Sequence, residues 1–372
     1  MPVVVRVCKE LAPLLQRFCN DIDPARCSLP APLDFMTSHS SVNCSWYTGP
    51  TSLQPAVEPI IAYRLFVLIT VLAGVGHVVW MAGELKLRPT WAIIAAVTLL
   101  LSNPWFGTLA LGQVYPLLAF GLVAAWVAYR RGKPGSSGVA LGLVLAVKPQ
   151  LAPVLLWPLA RRRWRQFVMA LAAGAAATLV GMLVTGPGAL LGWVRFVASR
   201  QRDGYWDNNT LPAAAARLFR DNEFVEPVAR LPWAEPAAYV LVIGLIVLTA
   251  LWVRRDPGMG LWALVAASLL APPVSWHNYL VLLGPGILLL LARGWTAPAL
   301  LLLALQIIPP AWSEPWRHGS IVAAALMLNL HLYILLAHWL VFVLAARKRV
   351  PTGSVGAYPP KTTSSTRSFS PS

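Results

Sequence analysis

The sequence predicts an all-α fold, a polytopic bundle of transmembrane helices with about nine spans and one short helical hairpin. Apolar residues make up 57% of the 372 residues and charged residues only 12%, about half the charged share of a soluble domain. The apolar residues form runs long enough to cross a bilayer. Basic residues, which give a net charge of +16, stand at the ends of these runs, and this placement indicates membrane topology instead of nucleic-acid binding.

The first 58 residues differ from the rest of the chain, because they hold prolines, serines and isolated charges without helical periodicity. We expect them to form an atypical extracytoplasmic segment, 1–58. It contains all four cysteines of the chain, whose spacing matches no zinc pattern and leaves disulfides possible outside the cell. These are Cys8, Cys19, Cys27 and Cys44.

A multi-span membrane domain is predicted over 59–346. Prolines lie within or beside its apolar runs, so kinked or broken helices are expected where the freed backbone faces protein or a wet cavity. The predicted spans lie near 61–82, 90–109, 112–129, 166–186, 236–253, 258–274, 276–292, 296–311 and 319–345.

The hairpin is predicted between two basic clusters, because the 27 residues from Pro134 to Ala160 are too few for two spans of about 20 residues each. Short helices over 137–147 and 149–160 would place Lys148-Pro149-Gln150 at an external tip. Two thin, tilted spans are the alternative. A lysine at membrane depth is costly and indicates a functional site, although a lysine snorkelling to the interface would have the same sequence.

The numbers of Lys, Arg and acidic residues in each loop predict the side of the membrane on which the loop lies. The short loops at 84–89, 130–134, 161–165, 254–256, 293 and 347–349 carry fifteen Lys and Arg and two acids, so they should be cytoplasmic. The loop 188–235 carries six arginines and six acids and should be external. The Ser/Thr/Pro-rich residues 347–372 predict a disordered cytoplasmic tail.

Four segments, taken in order, resemble glycosyltransferase family 87, the polyprenol-phosphate-mannose-dependent α-1,2-mannosyltransferases of the GT-C superfamily. The resemblance covers roughly 60–350. The segments are Leu111-Gly-Gln113-Val-Tyr-Pro, Lys148-Pro-Gln150 followed by the basic run 161–165, Asn208-Asn209-Thr210 with Arg217, and Ser275-Trp276-His277-Asn-Tyr279.

The resemblance implies a multi-pass plasma-membrane enzyme with an active site facing outside and a cytoplasmic C-terminus. It implies inverting transfer of mannose from a polyprenyl-phosphate donor to a glycolipid or lipoglycan acceptor. The expected partners are these lipids and the surrounding membrane, with no nucleic acid. No cofactor is expected, and the need for a divalent metal stays open.

The residue types suit that chemistry. The leaving phosphate needs cationic donors, which Lys148 and His277 can supply. The expected substrate-binding residues supply amides, aromatic faces and a guanidinium: Gln113, Gln150, Asn208, Asn209, Arg217, Trp276 and Tyr279. Alternatives without function are a close helix crossing at Gln113, turns at the two asparagines, and an i+4 pair of Arg217 with Asp221.

Inversion also needs a carboxylate to take the acceptor proton. The resembling family carries it on an external loop after a first transmembrane helix, and no apolar span precedes residue 60 here. Asp34 is the nearest candidate, and Asp203 and Asp207 are weaker ones. A truncated or altered N-terminus, which would make an inactive family member, is one hypothesis. A lipid-sugar transporter or flippase is the other, because broken helices and an intramembrane lysine fit that class too.

Overall fold

The computed structural model describes residues 59–199, 205–222, 224–313, 315–316 and 320–348. Over these residues the structure is helical and contains no β-strand. The described residues divide into two compact units, one that contains 59–66 and 181–195 and one that contains 67–180 and the described residues from 196 onwards. The expected N-terminal segment 1–58 and the tail from 349 onwards lie outside the described residues.

The helices of the first half are α1 (Pro59–Leu85), α2 (Pro89–Leu100), α3 (Asn103–Ala110), α4 (Tyr115–Arg130), α5 (Pro134–Val147), α6 (Leu156–Leu159), α7 (Trp164–Thr185) and α8 (Pro187–Ser199). Those of the second half are α9 (Leu211–Phe219), α10 (Ala234–Val253), α11 (Pro257–Leu269), α12 (Gly284–Ala292), α13 (Thr296–Leu305), α14 (Ile321–Met327) and α15 (Leu330–Arg347). Three segments are 3₁₀-helical: Pro149–Leu155, His277–Leu283 and Pro310–Trp312.

Four of the described helices are long and apolar enough to cross a membrane, namely α1, α7, α10 and α15. A fifth span is possible if α2 and α3, which meet at a bend of 47°, count as one. The all-helical class is therefore confirmed, whereas the predicted count of nine spans is not. Prolines and polar residues interrupt the other apolar runs: 276–292, for example, divides into a 3₁₀ segment and α12, with Pro285 at the first turn of α12.

The unit that contains 59–66 and 181–195 is described over the first turns of α1, the end of α7 and most of α8. Gly186, at φ +83°, makes the turn between α7 and α8 in a conformation that favours glycine. Leu183 and Val184 are about four-fifths exposed, at 78% and 81%. Such exposed apolar surface is expected where a helix faces lipid.

The larger unit is centred on α11, in which every residue from Pro257 to Leu269 is buried. A helix that is apolar on all sides is stable only when other helices surround it. Helices α10 and α15 and the 3₁₀ segment Pro149–Leu155 pack against it. The indole N–H of Trp157 donates to the carbonyl of Pro257 at 2.9 Å, which ties the segment after Lys148 to the start of α11.

Helices α5 and α7 approach unusually closely at two glycines spaced four apart. A Cβ at Gly138 would lie 2.3 Å from the Gln166 carbonyl oxygen, and one at Gly142 would lie 2.2 Å from that of Ala170. This is the small-residue packing typical of membrane helices, in which missing side chains let two backbones touch. It fixes α5, and with it the Lys148 that follows, against the rest of the larger unit.

Candidate active site

Lys148 lies at the break between α5 and the 3₁₀ segment Pro149–Leu155. The residue before a proline is driven out of the helical conformation, and Lys148 has φ −133° and ψ 79°. Pro153 lies inside the 3₁₀ segment and has no N–H to donate to an α-helical hydrogen bond. The chain therefore continues as a 3₁₀-helix until α6 begins. The lysine side chain therefore leaves the backbone at a fixed, non-helical point.

Two tyrosines hold the Lys148 ammonium. Its Nζ donates to the Tyr279 hydroxyl at 2.8 Å and to the Tyr115 hydroxyl at 3.1 Å. It also lies 4.4 Å and 5.0 Å from the centroids of those two rings, which are 4.4 Å from each other. Phenol oxygens and ring faces attract a cation without neutralising it. Within the described residues Lys148 forms no ion pair with a carboxylate.

His277 is arranged differently, because Asp207 binds it twice. The His277 Nδ1 lies 2.7 Å from Asp207 Oδ2, and the His277 backbone N–H donates to Asp207 Oδ1 at 3.0 Å. Both side chains are nearly buried, at 12% and 11% exposed. The carboxylate fixes the ring so that Nε2 faces Gly107 on α3, where an added Cβ would lie only 2.5 Å away. The ring of His331 lies 6.0 Å from that of His277.

Asn208 and Asn209 tie the segment before α9 to the segment before the second 3₁₀-helix. The Asn208 amide donates to the Pro273 carbonyl at 2.9 Å and accepts from the Ser275 backbone N–H at 3.1 Å. The Asn209 backbone N–H donates to the Ser275 carbonyl at 2.6 Å. Both asparagines are buried. These bonds set the position of Asp207 relative to His277.

Arg217, on α9, is fully buried and its guanidinium is surrounded by oxygen atoms. Nη2 donates to Asn329 Oδ1 at 2.8 Å and to the Asn208 carbonyl at 3.2 Å, and Nη1 donates to the Tyr205 carbonyl. The i+4 pair with Asp221 does not occur, since α9 ends at Phe219 and Asp221 pairs with Arg230. Arg217 thus braces the loop that carries the two asparagines.

The remaining expected residues make no hydrogen bond to this network within the described part of the chain. Gln113 follows Gly112, a residue at φ +59° in the turn between α3 and α4, and its amide donates to the Leu111 carbonyl at 3.4 Å. The buried Oε1 of Gln150 accepts no hydrogen bond from the described residues. Trp276 is half-buried against the core. Asp34 lies outside the described residues.

The structure thus brings Lys148 to Tyr279, and it links His277, both asparagines and Arg217 in one network. From the sequence, Asp207 was only a weaker candidate for the catalytic carboxylate, and Tyr115 was only a position in the first motif. Asp207 directly precedes the two asparagines of the third motif, and that adjacency is the signal that points to it. Over the described residues, His, Cys, Asp and Glu form no group of three or more that would hold a metal ion.

Comparison with known proteins matches this chain to a described family. The model of glycosyltransferase family 87 matches residues 48–275. A polyprenol-phosphate-mannose-dependent α-(1-2)-phosphatidylinositol mannoside mannosyltransferase of Mycobacterium tuberculosis is 29% identical over 225 residues, which is 56% of this chain and 49% of that protein. The chain therefore spans about half the length of this relative. No solved structure matches significantly. Because the family model covers more than half of its residues, the chain belongs to glycosyltransferase family 87.

Proposed function

We propose that this protein is a membrane glycosyltransferase that moves a mannosyl residue from a polyprenyl-phosphate donor to a glycolipid or lipoglycan acceptor. Membership of family 87 supports a glycosyltransferase, and the similar mycobacterial protein is named for a polyprenol-phosphate-mannose donor. The acceptor, the plasma-membrane location and the side on which transfer occurs are part of the proposal.

The observation that carries the proposal is the state of Lys148. Its ammonium is partly buried and held at a fixed point by two neutral phenols. A cation in this setting attracts an anion strongly, since less solvent screens it than at an open surface. The phosphate of a lipid-linked sugar supplies such an anion, and its charge increases as the sugar leaves.

His277 has a different task from Lys148, because Asp207 already balances its charge when it is protonated. We propose that the His277 ring donates a hydrogen bond, from the edge opposite Asp207, that orients the phosphate or the sugar. Asp207 then acts as a positioning residue, which fixes the tautomer and the rotation of the ring. Gln113, Gln150, Trp276 and the Tyr279 face are proposed to contact the sugar.

In the transfer step, the bond between C1 of the mannose and the phosphate oxygen breaks as the acceptor oxygen bonds to C1 from the opposite face. Polyprenyl phosphate leaves with the bonding electron pair, and Lys148 offsets the added charge. The acceptor proton passes to a carboxylate, for which Asp34 remains our candidate.

The topology of α5 supports an external site. The helix has 14 residues, so about 20 Å separates Lys133 at its start from Lys148 at its end. Lys133 belongs to a basic cluster that should be cytoplasmic. Lys148 would then lie in the opposite half of the membrane, near the leaflet in which an external enzyme meets its lipid-linked donor, with the C-terminus on the cytoplasmic side.

The test is transfer of radiolabelled mannose from polyprenyl-phosphate-mannose in membranes that contain the full chain. We expect Lys148→Met to lower transfer by roughly 100-fold to 1,000-fold, the usual cost of losing one donor to a developing anion. Lys133→Met, which removes the same charge from the exposed start of α5, should change it less than twofold, about the size of an exposed-charge effect.

Two results would contradict the proposal. One is full transfer by Lys148→Met. The other is movement of labelled donor across proteoliposome membranes without formation of a glycosidic bond, which would identify a transporter. Repeating the assay with a polyprenyl-phosphate pentose tests the identity of the donor sugar separately.

A further inference from the structure

Two arginine side chains converge on Tyr129, at the end of α4 far from Lys148. The Cζ atoms of Arg161 and Arg163 lie 5.0 Å and 5.7 Å from the centroid of the Tyr129 ring. Arg161 Nε donates to the Arg254 carbonyl at 3.1 Å, which brings the start of the loop after α10 to the same place. We call this cluster of Tyr129, Arg161 and Arg163 the Tyr129 basic site.

The backbone places the two guanidiniums on one ring. A tight turn follows α6, in which the Arg162 N–H donates to the Leu159 carbonyl and the Arg163 N–H to the Pro158 carbonyl, both at 2.9 Å. Arg162 has φ +53°, a left-handed conformation that few residues other than glycine adopt. The Tyr129 ring is itself held by Trp157, with centroids 5.0 Å apart. The site is therefore built by the fold.

The acids nearest in the topology are already paired with other cations. Glu84 binds Arg131 at 2.8 Å, and the two carboxylate oxygens of Asp256 accept from Nη1 and Nη2 of Arg293. Within the described residues no carboxylate pairs with any arginine of the Tyr129 basic site. Like charges on one ring repel, so the arrangement favours a bound anion.

The surface beside the site indicates which anion. Helix α7 begins at Trp164, directly after Arg163, and only 6% of its most apolar stretch is buried. Trp164 is 57% exposed, as interfacial tryptophans at the lipid headgroup level are. We propose that the Tyr129 basic site binds the phosphate headgroup of an anionic phospholipid, in the leaflet on the opposite side from Lys148. Arginine forks suit phosphate oxygens, to which they donate two parallel bonds.

The test uses the purified full chain in detergent, with phosphatidylglycerol or phosphatidylcholine added, and native mass spectrometry to measure the bound lipid. Each basic residue that contacts an anionic lipid headgroup contributes about 1 kcal/mol of attraction, and 1.4 kcal/mol is tenfold. We therefore expect Arg161→Gln with Arg163→Gln to bind phosphatidylglycerol about 30-fold more weakly. Phosphatidylcholine binding should be unchanged.

The matched control is Lys86→Gln with Arg88→Gln, which removes two exposed charges from the loop after α1. It should keep wild-type affinity for phosphatidylglycerol. If the Arg161 and Arg163 pair prevents folding, Arg163→Gln alone, at an exposed side chain, should weaken binding about fivefold by the same arithmetic. Equal losses in site and control variants, or full displacement of the lipid by inorganic phosphate at the same concentration, would overturn the proposal.

Discussion

Gly107→Ala is the sharpest probe of the candidate site, because it displaces His277 without changing any polar group. The added Cβ would lie 2.5 Å from His277 Nε2 and 3.1 Å from Cε1. Atoms of this kind rest at about 3.5–4.0 Å, so the ring must retreat by about 1 Å. The contact between His277 Nδ1 and Asp207, now 2.7 Å, limits where it can go. A misplacement of about 1 Å at a reacting centre costs about 100-fold in rate.

The assay is mannosyl transfer, with kcat and KM measured separately and the integrity of the fold checked by thermal unfolding. Gly107 lies within α3, where alanine favours the helix by about 1 kcal/mol and offsets part of the cost of overpacking. An unfolding temperature equal to that of the wild type would show that slow transfer does not come from a loss of fold. Gly244→Ala in α10 is the control, since a Cβ there meets nothing within 4 Å. It should transfer at the wild-type rate.

A double-variant cycle makes the reasoning refutable. His277→Ala removes the ring that Gly107→Ala would strike, so the two losses should not add when combined. Additive losses would mean that alanine at 107 acts elsewhere. Unchanged transfer by the single variant would mean that the position of the His277 ring does not matter to the reaction.

Three further predictions concern the supports of the site. Tyr279→Phe removes the 2.8 Å bond to Lys148 and keeps the ring. Hydrogen bonds to charged groups contribute about 1.5–3 kcal/mol, so a denaturant titration should show a loss of stability within that range. Mannosyl transfer should fall about tenfold, because Lys148 loses one of the two hydroxyls that fix its position. Arg217→Lys should lower the unfolding temperature and destabilise the fold by about 3 kcal/mol, because an ammonium cannot reach all the oxygens that the buried guanidinium binds; an unchanged melting curve would show that these bonds are dispensable. Gly142→Ala places a Cβ 2.2 Å from the Ala170 carbonyl oxygen and should destabilise the fold by about 1–3 kcal/mol in a denaturant titration, in contrast to an alanine at a glycine in open space.

The sequence predicted correctly those structural features that depend on neighbouring residues or on composition. Pro149 disfavours helix at the preceding residue, and α5 does end at Val147. The helical class follows from composition and apolar runs. The count of spans did not follow, because an apolar run has the same composition whether it crosses lipid or, like α11, is enclosed by other helices.

The pairing of Asp207 with His277 could not be predicted from the sequence, for a different reason. Seventy residues separate them, and the contact depends on how two asparagine-anchored loops meet in space. Arg217 shows the same limit. Asp221 lies four residues after Arg217 and would pair with it on a continuous helix. The helix ends at Phe219, however, and the guanidinium instead donates to Asn329, 112 residues later.

The enclosure of α11 sets an order for assembly during synthesis. With 13 residues it is about 20 Å long, too short to cross the roughly 30 Å hydrocarbon core alone, and it presents no lipid-facing side. Its main partner, α15, emerges from the ribosome about sixty residues later. The centre of the larger unit must therefore wait, partly unpacked in the membrane, until α15 has been synthesised. Chains that stop before Leu330 should be recognised and degraded by membrane quality control.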